Sequence, residues 1–324
     1  MAENVPSLTL NNGVKMPIIG LGTFQGTYDY KSPFDTVVEV TKAAIDDGYR
    51  HIDTAFIYDT EKPVGHAINE KIKEGAVTRD EVFITSKLWN NAHAREDVQV
   101  AVKKSLQALG MEYIDLFLVH WPVAYKSGEE CHPKDADGKI AVADDDEHDY
   151  LETWKGMEDI LEAGLVKAIG VSNYNIDQMR RQVENCRIKP AALEIETHPF
   201  MANEELVDFC QTHGIAVIGY SPLGKPGRSW KTEGDPDIFT NETIATIGKK
   251  YNKSPAQVAL RYQVQRQVCP VPKTKTLSRL KENIDIFDFE LSGDDMKKLE
   301  KLNQNFRVLW LESLKHSKNY PFHS

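Results

Sequence analysis

The chain has 324 residues and a formal net charge of −10, from 49 acidic against 39 basic side chains. A chain this long buries roughly three quarters of its unfolded surface and needs no staples, and its apolar and charged fractions are those of an ordinary globular protein. The acidic balance disfavours nucleic acid and anionic membrane as partners, because both want basic surfaces.

The opening residues, MAENVPSLTLNNG, lack the basic and apolar regions of a signal peptide, and no run of about 18 apolar residues occurs anywhere. The four cysteines, Cys131, Cys186, Cys210 and Cys269, are scattered without a C-x-x-C pair. A reducing, cytoplasmic setting follows, with Cys210 and Cys269 read as small buried hydrophobes. LTLNNGVKMP reads as a hairpin around its Asn-Asn-Gly turn.

Eight apolar runs then follow: IIGLG from Ile18, YRHIDT from Tyr49, VFITS from Val82, IDLFLVH from Ile114, VKAIGVS from Val166, AALEIE from Ala191, IAVIGY from Ile215 and QVCPVP from Gln267. Near-continuous apolarity is what parallel strands covered on both faces require. Helical patterns separate them. One repeats Leu151, Trp154, Met157, Leu161 and Leu165 and stops at Gly164; others stop at Gly110 and Gly214. Asn203 is expected to cap the helix before Gly214, and Ser254 with Pro255 marks another start.

Eight strands alternating with helices predict a single (β/α)8 barrel over residues 1–324, capped at one end by the hairpin. The competitor is an open doubly wound sheet. GLGTFQG (Gly20 to Gly26) has no helical pattern directly behind it and reads as a loop, not a dinucleotide fingerprint. Two long connections, about 123–149 and about 221–239, follow strands and so belong to the active-site face. The apolar tail after Leu302 needs something to cover.

Four polar residues stand at or just beyond strand ends: Asp53 and Tyr58 in HIDTAFIY, Lys87 in VFITSK and His120 in LFLVHWP. On one barrel rim they would converge. A free tyrosine is too weak an acid for easy proton transfer at neutral pH. An adjacent ammonium favours its phenolate, a carboxylate holds that ammonium, and a neutral imidazole can bond a carbonyl oxygen. The set suits protonation of an oxygen gaining negative charge, as in carbonyl reduction. Any one of the four alone is more often structural. The acidic run Asp144-Asp145-Asp146-Glu147 lacks metal-ligand spacing and reads as a solvated loop, so no metal is expected.

GYRHIDTAFIY, ITSKLW, LVHWP, GLVKAIGVSNY, ETHPF, GYSPLG and VPKTKTLSRLKEN, in that order, resemble the signature segments of the aldo-keto reductase superfamily over nearly the whole chain. The resemblance implies a (β/α)8 barrel, NADPH as hydride donor and reduction of aldehydes or ketones to alcohols by a cytoplasmic monomer. It implies Tyr58 as general acid, Lys87 as the group that tunes it, Asp53 as the holder of Lys87 and His120 as the group that aims the carbonyl. Some features resemble the insect 3-dehydroecdysone reductase branch.

The same resemblance places the cofactor. Ser172 and Asn173 would hold the nicotinamide carboxamide, Tyr220 would stack on the ring, and Ser221 and Leu223 would cover the pyrophosphate. Lys273, Thr274 and Arg279 would bind the 2′-phosphate, Glu282 and Asn283 the adenine, and Thr23 and Asp53 would complete the site. Lys273, Lys275 and Arg279 form a basic cluster just after the eighth strand, a corner that barrel phosphate sites favour. Two departures stand out. Glu194 replaces the family's usual glutamine as an expected cofactor contact, one that cannot donate as a carboxylate, and Lys225 and Gly227 replace a small polar residue and an acid in the covering loop. Phe24, Ile57, Trp89, Trp121 and Tyr125, with His120, would wall the substrate pocket, closed by Leu309 and Trp310. That apolar lining favours aromatic or aliphatic carbonyl compounds, a steroid ketone among them, over sugars. Two other readings stand beside this one: a non-catalytic structural or channel-associated barrel, and an isomerase or aldolase with Lys87 as a Schiff base.

Overall fold

The computed structural model describes residues 5–26, 33–143 and 148–322; the acidic run at 144–147 lies outside them. A two-stranded antiparallel hairpin, β1 (Ser7–Thr9) and β2 (Lys15–Pro17), comes first. Eight parallel strands follow: β3 (Leu21–Gly22), β4 (His51–Asp53), β5 (Phe83–Leu88), β6 (Leu116–Val119), β7 (Ile169–Ser172), β8 (Ala192–Glu196), β9 (Ala216–Tyr220) and β10 (Val268–Pro270). They pair in chain order, all in parallel. The first and last strands meet: Gly20 N donates to Pro270 O at 3.0 Å and Gly22 N to Pro272 O at 3.1 Å, which closes the barrel. Glycine permits this seam, since a Cβ on Gly22 would stand 2.7 Å from the Val271 carbonyl oxygen. The fold is the expected (β/α)8 barrel.

The helices lie outside the strands. Among the described residues they are α1 (Phe34–Asp46), α2 (Glu61–Lys73), α3 (Arg95–Leu109), α4 (Tyr150–Glu162), α5 (Ile176–Asn185), α6 (Glu204–Thr212), α7 (Glu242–Tyr251), α8 (Pro255–Gln265), α9 (Leu277–Ile284) and α10 (Gly293–Glu300). Gly110, Gly164 and Gly214 sit at φ +65°, +72° and +71° just past helices, as their positions in the pattern require. Ser254 caps α8 in a reciprocal capping box with Gln257. Asn203 departs from expectation. Its own backbone is left-handed (φ 49°), and its side chain donates to Glu196 O at 2.7 Å instead of capping α6.

Two apolar layers hold the barrel. The larger joins strands to helices through residues such as Trp154, Met157, Val171 and Leu193. The smaller fills the floor, where Leu10 and Met16 of the hairpin region pack on Phe83, Leu116, Ala168 and Ala191 at or beside the strand starts. Asn11 and Asn12 pin the turn by donating to Pro190 O and Lys167 O at 2.8 and 2.9 Å. The floor is therefore plugged, and the opposite rim, at the strand C-termini, is left for a site.

Candidate active site

The four polar residues meet on that rim. Asp53 ends β4 and Lys87 lies one residue before the end of β5. His120 follows β6 directly, and Tyr58 closes the short 3₁₀ turn Phe56–Tyr58 behind β4. Lys87 Nζ donates to Asp53 Oδ1 and Oδ2 at 2.9 and 2.8 Å and to Thr54 O at 3.1 Å. It also stands 5.1 Å from the centre of the Tyr58 ring. The Tyr58 hydroxyl is 3.3 Å from His120 Nε2.

Burial alone would lower the Lys87 ammonium, but the Asp53 and Glu194 carboxyls outweigh it and hold it above its ordinary range. Burial, with the Lys87 charge added, pushes the His120 imidazole well below its usual range, so it is neutral. A fixed ammonium, a phenol and a neutral imidazole in contact form a proton-donating group aimed at a single point.

That point opens into a cavity of about 690 Å³. Asp53, Tyr58 and His120 line it, with Lys87 fully buried behind. At the same end stand Ser172, Asn173, Glu194 and Tyr220. Tyr220 OH donates to Asn173 Oδ1 at 2.8 Å, and Asn173 Nδ2 donates to His120 O at 3.0 Å, which ties β6, β7 and β9 into one polar wall. Thr23, Ser221, Leu223, Lys273, Thr274, Arg279, Glu282 and Asn283 line the same cavity. Lys273 is held below its ordinary range by burial and by Lys275, and Lys225 by burial and by Lys273. Cations that repel one another are stabilised by an anion between them. A cavity with a polar wall beside the four rim residues and these cations in its lining fits a dinucleotide phosphate.

Of the residues expected to wall the substrate end, Phe24, His120, Trp121 and Leu309 line the cavity. Ile57, Trp89, Tyr125 and Trp310 do not. The first three pack in an apolar cluster with Trp121, Leu314 and Tyr320, where the Trp89 and His120 ring centres are 5.2 Å apart. Trp89 thus backs the histidine rather than facing a ligand. Trp310 is 40 % exposed, and its Nε1 donates to Arg307 O at 3.0 Å.

Two features were missed in the sequence. Glu196, fully buried at the end of β8, accepts from Val308 N at 2.6 Å through Oε1 and from Leu309 N at 2.8 Å through Oε2. His198 Nε2 lies 3.0 Å from the same Oε1. This carboxylate fixes the C-terminal loop where Leu309 enters the cavity. The second feature is the loop after β9, where Lys225 Nζ lies 5.5 Å from the Phe24 ring centre and 4.4 Å from that of Trp230. Arg228 pairs with Asp235, and Trp230 Nε1 donates to Val308 O at 3.3 Å. An acid outnumbering the local bases at a strand end was the signal available for Glu196; its backbone partners could not be read from spacing.

A closed barrel with an Asp–Lys–Tyr–His set at the strand C-termini, beside a cavity lined in part by cations, defines a barrel oxidoreductase. The chain belongs to the aldo/keto reductase family, whose model matches residues 18–304. It is 44% identical over 310 residues to aldo-keto reductase family 1 member A1 of Xenopus tropicalis, covering 95% of this chain and 92% of that one. Among solved structures, an aldo-keto reductase of Bombyx mori in complex with NADP is 40% identical with a TM-score of 0.88, covering 99% and 100% of the two chains. An aldo-keto reductase complexed with NADPH is 40% identical with a TM-score of 0.90, covering 99% and 94%. As a member of this family the chain is an enzyme that reduces small carbonyl compounds with NADP(H). Among the described residues no helix is long and apolar enough to cross a membrane.

Proposed function

We propose that this enzyme reduces apolar or aromatic aldehydes and ketones, steroid ketones among them, with Tyr58 as the general acid. The observation that carries the reading is the Tyr58 hydroxyl, 3.3 Å from a neutral, buried His120 and backed by the Lys87 ammonium. A carbonyl oxygen placed between Tyr58 OH and His120 Nε2 accepts from both when the imidazole carries its hydrogen on Nε2. NADPH supplies the hydride that attacks the carbonyl carbon. As negative charge grows on the oxygen, Tyr58 passes its proton there, and Lys87 stabilises the phenolate that remains until solvent restores the proton. Asp53 keeps Lys87 charged and in place, which also disfavours Lys87 as a Schiff-base nucleophile.

The cofactor assignment uses the cavity from end to end. Ser172, Asn173, Glu194 and Tyr220 hold the nicotinamide, Ser221 and Leu223 the pyrophosphate, and Lys273, Thr274 and Arg279 the 2′-phosphate, with Glu282 and Asn283 at the adenine. Phe24, Trp121 and Leu309 supply the apolar substrate wall that supports the substrate class. We propose a single-domain monomer in the cytosol, a setting supported by four free thiols. Replacing Tyr58 by Phe tests the acid: kcat should fall by at least about a thousandfold, in line with loss of general acid catalysis, while NADPH still quenches protein fluorescence with a near-unchanged Kd. Near-normal turnover would refute the assignment.

A further inference from the structure

Lys87 has two carboxylates on it, and only one of them is needed. Asp53 Oδ1 and Oδ2 accept from Nζ at 2.9 and 2.8 Å, a full two-point pair. Glu194 Oε2 stands 3.3 Å from the same nitrogen, is not aligned as a hydrogen bond and has no other hydrogen-bond partner. All three groups are buried, with Lys87 at 0 %, Glu194 at 1 % and Asp53 at 3 % exposure.

The groups packed around them add no compensating charge. His51 of β4 is driven to about 4 by burial and is neutral. His120 beyond β6 is neutral for the same reason, and Cys269 of β10 is held as a thiol by burial and by the two carboxyls. Tyr58, and Tyr220 of β9, present phenols, and Ser172 of β7 and Asn173 just beyond it are uncharged. Two carboxylates and one ammonium would leave an uncompensated anion out of water, a costly state that binding one proton removes. The proton belongs on the carboxyl with the poorer contact to Lys87. Burial first, and then the Asp53 charge, push Glu194 well above the usual carboxylate range.

We propose that Glu194 is a carboxylic acid in the empty and NADPH-bound enzyme and ionises when the nicotinamide beside it becomes cationic. The proposal rests on the cofactor reading given above. Glu194 lines the cavity together with Ser172, Asn173 and Tyr220, so a ring seated against that wall comes next to it. The reduced ring is neutral and leaves the acid as it is. The oxidised ring carries a positive charge, which favours the carboxylate and releases the proton to solvent. Protonated, the side chain can also donate a hydrogen bond, which a carboxylate cannot. Glu194 thereby makes the balance between NADP+ and NADPH depend on pH.

The sign follows from linkage. NADP+ lowers the pKa of Glu194, so its affinity grows as pH rises from the titration of the NADP+ complex to that of the free enzyme. NADPH affinity carries no such dependence from this group. The phosphate groups are common to both cofactors and cancel in the ratio of their Kd values.

Titration calorimetry of NADP+ and of NADPH, each in buffers of different ionisation heat across pH 6–9, counts the protons released. The wild type should release up to about one proton more with NADP+ than with NADPH, and Kd(NADP+)/Kd(NADPH) should fall by as much as about tenfold per pH unit within the window. Both effects should survive in Y58F and vanish in E194Q. Equal proton release with the two cofactors, or an effect that persists in E194Q, overturns the proposal. Loss in Y58F with retention in E194Q assigns the proton to Tyr58 and overturns it equally. Carbon-13 NMR of labelled glutamates in the cofactor-free enzyme gives a check that needs no ligand. Burial also raises Glu61, so the signal is assigned by difference: an acid-form glutamate should persist through neutral pH in the wild type and be missing from E194Q, and wild-type and E194Q spectra with the same acid-form signals overturn the proposal. Failure of either cofactor to bind would sink the cofactor reading instead, and the NMR result would still decide the state of Glu194.

Discussion

The carboxylate of Glu196 holds the C-terminal loop at two successive peptides, and replacing it with glutamine shows how much that hold is worth. Glu196 accepts from two successive backbone N–H groups, at 2.6 and 2.8 Å. In Glu196→Gln one oxygen remains for one N–H, and the amide NH2 faces the other. The loss is one charge-assisted hydrogen bond, about 2 kcal/mol, and it falls on the loop that carries Leu309 into the cavity. Because about 1.36 kcal/mol is a decade in an equilibrium constant, kcat/KM should drop by about thirtyfold for substrates long enough to reach Leu309. The shortest aldehydes do not use that wall and should lose little. A series of aldehydes of increasing chain length, measured with saturating NADPH, gives the profile, and the loss should sit in KM rather than kcat. Equal losses along the series would refute the reasoning, because they would mean that Glu196 acts on the chemical step or on the whole fold.

Lys273→Ala should weaken NADPH by roughly thirtyfold or more, the worth of one charged contact to phosphate, and NADH hardly at all; equal losses for the two cofactors would move the 2′-phosphate site elsewhere. Gly65→Ala tests the helix layer, because the new Cβ would stand 2.1 Å from the Leu109 carbonyl oxygen, between α2 and α3. Overpacking of about 2 kcal/mol should lower the thermal midpoint by roughly 3 °C, and an unchanged midpoint would show that the two helices part without strain.

The four rim residues were legible because a barrel removes the main ambiguity of a sequence. Once eight runs are parallel neighbours, Asp53, Lys87 and His120 at successive strand ends must share one rim, and Tyr58 lies one short turn beyond. The residues expected at the cofactor come from segments that keep their order, and all of them line the cavity. Less could be read where a side chain's direction depends on packing. Trp89 and Tyr125 sit beside rim residues in the sequence, yet both are buried behind them, because large aromatics at the base of a loop lower their energy by packing on each other. Asn203 looked like a helix cap, but Glu196 offered its carbonyl, and a left-handed backbone turned the amide toward it. Glu196 itself could not be understood from the sequence, since Val308 and Leu309 lie more than a hundred residues downstream.

The two long-range features divide the labour of the site. Lys87, Asp53 and Glu194 belong to strands, where parallel ladders hold Asp53 and Glu194 from both sides and pair Lys87 with Leu118 of β6. Proton transfer needs that fixity, because a donor displaced by about 1 Å loses much of its advantage. Part of the wall around the cavity is loop, held through Trp230 Nε1 on Val308 O, Glu196 on Val308 N and Leu309 N, and Lys225 between two aromatic rings. Val308 is held on both its N–H and its C=O, by the strand scaffold on one side and by the loop after β9 on the other. Under the proposed function, changes in those loop residues should alter substrate range while the Tyr58–His120 distance stays as it is.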